Sequence, residues 1–428
     1  MFDVLKTSWA LLLGMLLLMV GNGVQGTLLG IRGSIEGFST LEMSIVMSAY
    51  FAGFFGGSRV APALIRRVGH VRVFAALGSF ISAILILYPS ITEPWAWALL
   101  RVLIGFCFSG VYVTAESWLN HAAINENRGQ TLSLYVIVQM AGVVAAQGLL
   151  VLGDPSGFVL FVIPSVLVSI SFAPILLSVN PTPAFETTKP MRLRDIYAVS
   201  PLGCVGLFLL GGVFGAQFGM SAVYAAQLGL PVGQISMFIA TIYVGALVAQ
   251  FPIGWLSDWM DRRALVLIMA AVGGVGSALG LFLGDVFGAL IVLAFIVGGA
   301  SNPLYSLLIA HTNDYLEPED MYLEPEDMAA ASGGLIFING LGAITGPLIT
   351  GWLIGQVGPG GYWLFIGSLM VVLVGYALFR MTQRPAMAAE DTGAYVTVMP
   401  SASTVTLEAA QEWSIDAAEE TITDETAA

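Results

Sequence analysis

LLRVLIGFCFSGVYVTAESWLN, residues 99–120, is an apolar stretch that carries one basic residue, Arg101, and one acidic residue, Glu116. A helix over these residues is long enough to cross a bilayer. It places Arg101, Gly105, Tyr112 and Glu116 on a single stripe, within about 60° of one another. Charge is costly inside a membrane, so we expect this stripe to face a protein interior. Arg101 and Glu116 lie about 22 Å apart along such a helix and cannot pair with each other.

The same stretch shows that the chain consists of two related halves. Gly105 and Tyr112 recur 193 residues later as Gly298 and Tyr305. Farther along, the offset becomes 200, because the heptad YLEPEDM occurs twice in tandem over residues 315–328. Loop lengthening costs little free energy, so we expect the extra heptad to be tolerated without creating a regulatory site.

The composition is that of a polytopic membrane protein. Hydrophobic residues make up 57% of the chain and charged residues 10%, whereas about a quarter of the residues in soluble domains are charged. The apolar run after Met1–Lys6 is longer than the core of a cleavable signal, and it predicts a first membrane span. Cys107 and Cys204 lie inside apolar segments, which predicts buried thiols rather than a disulfide or a metal site.

Runs of about 20 mostly apolar residues predict twelve transmembrane helices. Their approximate centres are residues 20, 48, 80, 106, 142, 168, 212, 244, 274, 298, 344 and 370. Thirteen of the fifteen Lys and Arg residues fall at the termini or in alternate loops, and Arg32 falls on the opposite face. This bias predicts a multi-pass protein of a bacterial-type cytoplasmic (inner) membrane, with both termini in the cytoplasm.

The predicted domain organisation has four parts. Residues 1–179 and 200–382 form two six-helix bundles, and residues 180–199, rich in Pro and charge, form a cytoplasmic linker. Residues 383–428 form an acidic tail whose composition does not support a core, so we expect disorder with a transient helix near residues 407–418.

The turn between predicted spans 8 and 9 carries charged residues. Residues 254–263 read GWLSDWMDRR. Gly254 allows two helices to approach, and Asp258 with Arg262 and Arg263 is suited to a charge relay between helices at the cytoplasmic side. The turn resembles the Gly-x-x-x-Asp-Arg-x-Gly-Arg-Arg loop of the major facilitator superfamily. The departures from that motif are Trp259 and Asp261.

The repeat-related loop after span 2 reads GSRVAPALIRRVGHVR over residues 57–72. Ala61 and Pro62 stand where the family has Asp-Arg, so this loop lacks the acidic member of a charge lock. The candidate gating residues of the two loops are Gly57, Arg66, Arg67, Gly69, Arg72, Gly254, Asp258, Arg262 and Arg263.

Further motifs indicate which transporters within the superfamily the chain resembles. Arg101-x-x-x-Gly105 is similar to the superfamily's span-4 pattern, in which this arginine is associated with proton coupling. The Gly346-Pro347 pair in span 11 resembles a helix-bending motif that drug/proton antiporters carry in span 5. Span 5 lacks Gly-Pro here, which disfavours a typical drug antiporter. AESWLN at residues 115–120 and RRVGHVR at residues 66–72 resemble the YcaD-like transporters.

The resemblance implies an all-α fold of two pseudo-symmetric six-helix bundles around a cavity, with alternating access by rocking. Polar residues of spans 1, 4, 7 and 10, with a repeat-related pair in spans 5 and 11, are then the substrate-binding candidates. They are Asn22, Gln25, Arg101, Tyr112, Gln139, Gln217, Gln227, Asn302, Tyr305 and Asn339. We interpret Tyr50 and Tyr243, also 193 residues apart, as packing residues.

The candidate residues for proton coupling are Arg101 and Glu116. An intramembrane cation needs an anionic partner or substrate. Glu116 is expected near the cytoplasmic end of span 4, either as a proton carrier or in a gate contact with Arg128 or another cation.

The predicted function is secondary active transport of a small, neutral or singly anionic solute, with protons as a possible second substrate. The alternatives are a multidrug efflux antiporter and a non-transporting membrane sensor. No Walker loop, dinucleotide fingerprint or nucleophile elbow in a plausible context is present, so we predict no enzyme and no cofactor. His70, His121 and His311 are scattered, which disfavours a metal site. The predicted protein is a monomer in the lipid bilayer that does not bind nucleic acid.

Overall fold

The computed structural model describes residues 2–122, 128–177, 191–316, 325–384, 392–411 and 413. The first half of the chain forms six helices connected by short turns. Their bounds are α1 Phe2–Ile35, α2 Thr40–Val68, α3 His70–Leu87, α4 Pro94–Ala122, α5 Arg128–Leu150 and α6 Val159–Leu177. The tandem heptad and residues 180–190 of the predicted linker lie largely outside the described residues.

The second half begins with α7, a short helix at the end of the predicted linker. Its helices are α7 Leu193–Val199, α8 Pro201–Gly215, α9 Ser221–Gln227, α10 Val232–Ser257, α11 Arg262–Leu283, α12 Phe287–Asp314, α13 Pro325–Val357 and α14 Gly361–Met381. A π-helical turn, Ala216–Met220, joins α8 to α9 in one continuous helix. Such turns widen a helix locally and are frequent at functional sites, and this one contains Gln217.

Ten helical segments of the described residues are long and apolar enough to cross a bilayer. The two remaining predicted spans, centred near residues 48 and 168, coincide with α2 and α6. Helix α2 carries Arg59, Arg66 and Arg67, which lower its hydropathy, and the apolar part of α6, Val159–Pro174, is short. The protein is therefore an all-helical, multi-pass membrane protein.

Helices pair in the same way in the two halves. In the first half, α1 packs against α5 and α6, α2 against α4, and α3 against α4 and α6. In the second half, α8 packs against α13 and α14, α10 against α12, and α11 against α12 and α14. Each pair in one half has its counterpart in the other, as expected from the sequence repeat.

Glycines at equivalent positions of the two halves make close helix contacts. A Cβ atom on Gly105 of α4 would lie 2.1 Å from the backbone oxygen of Tyr50 in α2. Its counterpart on Gly298 of α12 would lie 2.2 Å from the backbone oxygen of Ile242 in α10. Only a residue without a side chain permits these backbones to approach so closely. The repeated glycine is therefore a packing position.

The two halves meet along α2–α13 and α5–α10, and α1 contacts α9. At one end of the molecule, a Cβ atom on Gly30 would lie 2.5 Å from the Ala222 side chain. At the same end, the Gln227 amide donates to the Thr40 hydroxyl. This end carries Arg32, so it is the face that the charge bias assigns to the outside, and helix contacts close it.

The C-terminal tail differs from the disorder expected for residues 383–428. Residues 392–403 follow a defined path along the opposite end of the molecule, and residues 404–411 are helical. Val398, Ala402, Leu407 and Ala410 are buried. The physical reason is local composition, because residues 392–407 contain no Asp, Glu, Lys or Arg. The acids that make the whole tail hydrophilic lie on either side of this uncharged run.

Candidate functional site

A central cavity of about 150 Å³ lies between the two halves of the chain. Its wall is formed by residues of α1, α2, α4 and α5 from the first half and of α8, the π-helical turn, α9, α10 and α13 from the second. Met399, Pro400 and Ser401 of the tail form the remaining wall. The chain thus encloses a space for a small solute between its two repeats.

Most of the polar residues singled out from the sequence line this cavity. Asn22, Arg101, Tyr112, Gln139, Gln217 and Asn339 all belong to its wall. They come from both halves and include the repeat-related pair Gln139 and Asn339. The structure therefore brings together six of the ten predicted substrate-binding residues.

The other four predicted residues lie outside the cavity wall. The Gln25 amide donates to the Tyr88 hydroxyl over 3.4 Å within the first half, and Gln227 is at the closed outer end. The Asn302 amide donates to the backbone oxygen of Gly298 over 3.4 Å, one turn earlier in α12. Tyr305 is buried against Phe214. A polar residue in a span can face any neighbouring helix, and the sequence does not give the helix rotation that decides which.

Several wall residues were not predicted as substrate contacts. Tyr50 and Tyr243, interpreted from the sequence as packing residues, both line the cavity, as do Phe54, Phe218 and Gln147. The 193-residue spacing of the two tyrosines was the available signal. Aromatic residues are common in membrane helices, so this signal did not separate cavity positions from packing positions.

Arg101 is a buried cation in the wall of the cavity. It is 3% exposed, its guanidinium lies 4.7 Å from the centre of the Tyr50 ring, and Nη2 lies 3.2 Å from Sδ of Met47. Its Nε has no hydrogen-bond partner, and no carboxylate pairs with it among the side chains that the structure describes. A buried guanidinium whose contacts are an aromatic ring and a thioether sulfur is suited to binding an anion.

Amides and hydroxyls next to Arg101 form a hydrogen-bonded wall. The Asn22 amide donates to the hydroxyls of Tyr50 over 3.4 Å and of Tyr112 over 3.3 Å. Across the cavity, the Gln217 amide donates to the Ser301 hydroxyl over 3.1 Å. These hydrogen bonds are long or occupy only part of the hydrogen-bonding capacity of each amide. The amide oxygen and nitrogen atoms can therefore also bind a polar solute.

Glu116 lies at the far end of α4 from Arg101 and is 2% exposed. Its Oε1 accepts a hydrogen bond from the Tyr135 hydroxyl over 3.1 Å. Its Oε2 accepts one from the backbone N–H of Ser403 in the tail over 2.8 Å. The side chain of Arg128, considered as a partner from the sequence, lies outside the described residues.

Comparison with known proteins agrees with this fold and cavity. Residues 202–406 match the family described as Major Facilitator Superfamily, and residues 21–189 match the family described as Sugar (and other) transporter. The second half of the chain thus matches the major facilitator superfamily, and the first half matches a transporter family. The resemblance seen in its loop motifs is thereby confirmed, and this protein is a membrane transporter rather than an enzyme.

The curated relatives of this chain include transporters named for their family alone. The chain is 26% identical over 383 residues to the uncharacterized MFS-type transporter YcaD of Salmonella arizonae, covering 88% of this chain and 96% of that protein. It is 26% identical over 349 residues to the uncharacterized MFS-type transporter YfkF of Bacillus subtilis, covering 79% and 86%.

A solved structure supports the fold of this chain. The crystal structure of the nucleoside transporter NupG superimposes with a TM-score of 0.71 at 16% identity. The superposition covers 88% of this chain and 99% of NupG. At this identity the likeness concerns the fold alone.

The predicted gate of the superfamily motif is organised differently from the expected relay. Arg262 pairs with Asp314 at the end of α12, rather than with Asp258. Arg263 pairs with Asp261 over 3.0 Å. Asp314 was not predicted, because it lies 52 residues after Arg262 in the sequence, and Asp261 had been regarded as a departure from the motif.

The two aspartates of this loop differ in their surroundings. Burial raises the pKa of Asp258 above its ordinary value, although the Tyr395 N–H and the Arg262 charge oppose the shift. Burial alone also raises the pKa of Asp261, but hydrogen bonds and charge from Arg263 outweigh it and leave the pKa below its ordinary value. Asp261 is therefore the carboxylate better held in its ionised form.

Helix α2 and the turn after it are shaped by two glycines, Gly57 and Gly69. Gly69 has φ +86°, a conformation that favours glycine, and it turns the chain from α2 into α3. Gly57 is buried, and a Cβ there would lie 2.4 Å from the Phe106 backbone oxygen in α4. The remaining predicted gating residues, Arg66, Arg67 and Arg72, are exposed.

The ion pair between Arg262 and Asp314 predicts a stability difference. Asp314→Ala is expected to lower the free energy of unfolding by about 3 kcal/mol, because it leaves a buried guanidinium without its counter-charge. Glu36→Ala is the control, since both side chains of the Arg32–Glu36 pair are partly exposed, at 12% and 23%, and a loss of about 1 kcal/mol or less is expected. Unfolding of both purified variants in detergent measures the difference, and equal losses contradict the prediction.

Proposed function

We propose that this protein is a secondary active transporter that moves a small organic anion across the bacterial cytoplasmic membrane by alternating access. The observation that carries the proposal is Arg101, a buried cation in the cavity wall without a carboxylate partner among the described side chains. A buried charge is costly unless it is paired. An anionic group on the substrate supplies that pairing.

The remaining cavity wall restricts the substrate class. Arg101 is the only Lys or Arg of this wall, and no Asp or Glu belongs to it in the described part of the chain. One cation favours one negative charge on the substrate. The rings of Tyr50, Phe54, Phe218 and Tyr243 offer flat apolar surface, while the amides offer hydrogen bonds. A small planar monoanion, such as an aromatic carboxylate, fits this combination.

Alternating access is supported by the repeated helix pairs. We infer twelve spans in two six-helix bundles, because the pairing within each half is the same and the cavity lies between the halves. Rocking of two such bundles about a central site is a common transport mechanism. The arginine-rich loops and the tail then lie on the cytoplasmic side.

Proton coupling through Glu116 is a further part of the proposal. Glu116→Gln keeps the shape of the side chain and removes its charge. We expect it to abolish accumulation driven by a pH gradient in proteoliposomes while substrate exchange at equal pH continues. Glu93→Gln, at an exposed position before the start of the same helix, is the control with unchanged accumulation. An unchanged response to the gradient in Glu116→Gln refutes the assignment.

The experiment that tests the function is a thermal-shift screen of the purified protein. The library contains small aromatic and aliphatic carboxylates, nucleosides, sugars and lipophilic cations. A solute at 100 times its dissociation constant stabilises the native state by about 2.7 kcal/mol, and its transport is then measured in proteoliposomes. Monoanions are expected to give the largest shifts and to be transported.

The other outcomes of the screen distinguish the alternatives. Shifts confined to lipophilic cations favour a multidrug efflux antiporter, and shifts confined to nucleosides favour the substrate class in the name of NupG. Either result overturns the proposal of an anionic substrate. Binding without transport of any solute favours a non-transporting sensor.

A further inference from the structure

The tail segment of residues 392–411 lies in a groove at the arginine-rich end of the molecule. Backbone groups of its extended part are bound by side chains of the helices. The Gly393 oxygen accepts from Arg262, and the Tyr395 N–H donates to Asp258 over 3.3 Å. The Val398 N–H donates to the Ser306 hydroxyl over 3.0 Å. An isolated extended strand leaves its backbone groups unpaired, and this groove supplies partners for them.

The tail contacts both halves of the protein. Ser403 N–H donates to Glu116 of α4 in the first half. The Gln411 amide donates to Asn313 of α12 over 2.7 Å, and its oxygen accepts from Ser332 of α13 over 2.9 Å. The tail therefore lies between helix ends that belong to different halves.

Apolar contacts add to these hydrogen bonds. Met399 packs in a cluster with Val136 and Met140 of α5 and Ala246 of α10. Leu407 is fully buried. Burying an apolar side chain of this size stabilises a contact by about 1.5 to 3 kcal/mol. The segment is thus held by both polar and apolar contacts on several helices.

The position of the tail matters because it closes the cavity. Met399, Pro400 and Ser401 form part of the cavity wall, and the Asn339 amide donates to the Pro400 oxygen over 3.5 Å. The opposite end is already closed by the helix contacts near Gly30 and Ala222. A solute that enters or leaves through the arginine-rich end must pass where the tail lies.

We propose that residues 392–411 are an autoinhibitory plug, which binds the groove between the two halves and blocks the cytoplasmic mouth of the cavity. Rocking of the halves changes the separation of Glu116 and Ser306, so the plug also has to leave before the transporter completes a cycle. Arg262, Asp258 and Asp314 of the second half bind the tail directly. The inhibitory consequence rests on the proposed transport function, whereas blockage of the cavity does not.

Accessibility of the cavity tests the plug. Ser58 lines the cavity, and Ser58→Cys provides a thiol for a water-soluble maleimide in purified protein. The native cysteines are buried and give the background rate in unmodified protein. Deleting residues 392–428 is expected to raise the labelling rate at least tenfold. Deleting residues 414–428 removes five acids but keeps the plug, and we expect a rate within twofold of the full chain.

A point substitution tests the plug without truncation. Ser403→Pro removes the N–H that Glu116 accepts, whereas Ser403→Ala keeps it. Labelling of Ser58→Cys is expected to rise severalfold with Ser403→Pro and to stay unchanged with Ser403→Ala.

Equal labelling of the full chain, both deletions and Ser403→Pro overturns the plug. The same holds if the two deletions accelerate labelling equally, because the acidic end would then be responsible. Transport distinguishes the plug from the proposed function. A rise in labelling without transport by any variant refutes the transport proposal and leaves the plug intact, while faster transport after deletion of residues 392–428 supports both.

Discussion

Arg101→Ala is expected to lower the affinity of the cavity for anionic solutes. A charge-assisted hydrogen bond contributes about 1.5 to 3 kcal/mol, which corresponds to a roughly 10- to 150-fold loss of affinity. No other Lys or Arg of the described cavity wall can replace the lost cation. Thermal shift with the best monoanion from the screen, followed by proteoliposome uptake, measures the loss.

Arg101→Lys separates charge from geometry. Lysine keeps the positive charge but lacks the planar, two-pronged donor group of arginine, so we expect an intermediate affinity. Arg194→Ala, on the exposed surface of α7, controls for the loss of one positive charge and should bind as the unchanged protein does. Full anion binding by Arg101→Ala refutes the role of this side chain.

Gly105→Ala is expected to lower the stability of the protein. Its Cβ would lie 2.1 Å from the Tyr50 backbone oxygen, and a backbone atom cannot rotate away as a side chain can. Helices α4 and α2 must therefore separate. Overpacking of this kind costs about 1 to 3 kcal/mol or more, and the shift also displaces Tyr50 from Arg101. We expect a lower unfolding temperature in detergent and weaker binding of anions.

Gly148→Ala is the matched control on a neighbouring helix. A Cβ at Gly148 meets no atom within 4 Å, and alanine favours a helix over glycine by about 1 kcal/mol. This variant should be as stable as the parent or more stable. Gly298→Ala, at the repeat-related position, should reproduce the loss seen with Gly105→Ala. Tolerance of alanine at both positions contradicts the close packing of α2–α4 and α10–α12.

The candidate site was only partly predictable from the sequence. Arg101 stood out because a cation in an apolar span is unusual, and its place in the cavity wall follows from the cost of exposing it to lipid. Asn302 and Tyr305 had the same standing as Asn22 and Tyr112 in the sequence, yet they lie outside the cavity wall. The side chain of an amide or a tyrosine can pack against several different neighbouring helices. The sequence alone therefore does not determine which helix it faces.

Apolar runs and charge bias determined that this protein is a multi-pass helical membrane protein, since both follow from the requirements of a helix in a bilayer. The repeat determined that the chain has two related halves. Only the tertiary structure decided that Arg262 pairs with Asp314 and that the tail lies in a groove beside the cavity. Both depend on groups far apart in the chain. The uncharged run of residues 392–407 is too short to form a core by itself, but helix ends that supply hydrogen-bond partners and apolar surface give it a defined place.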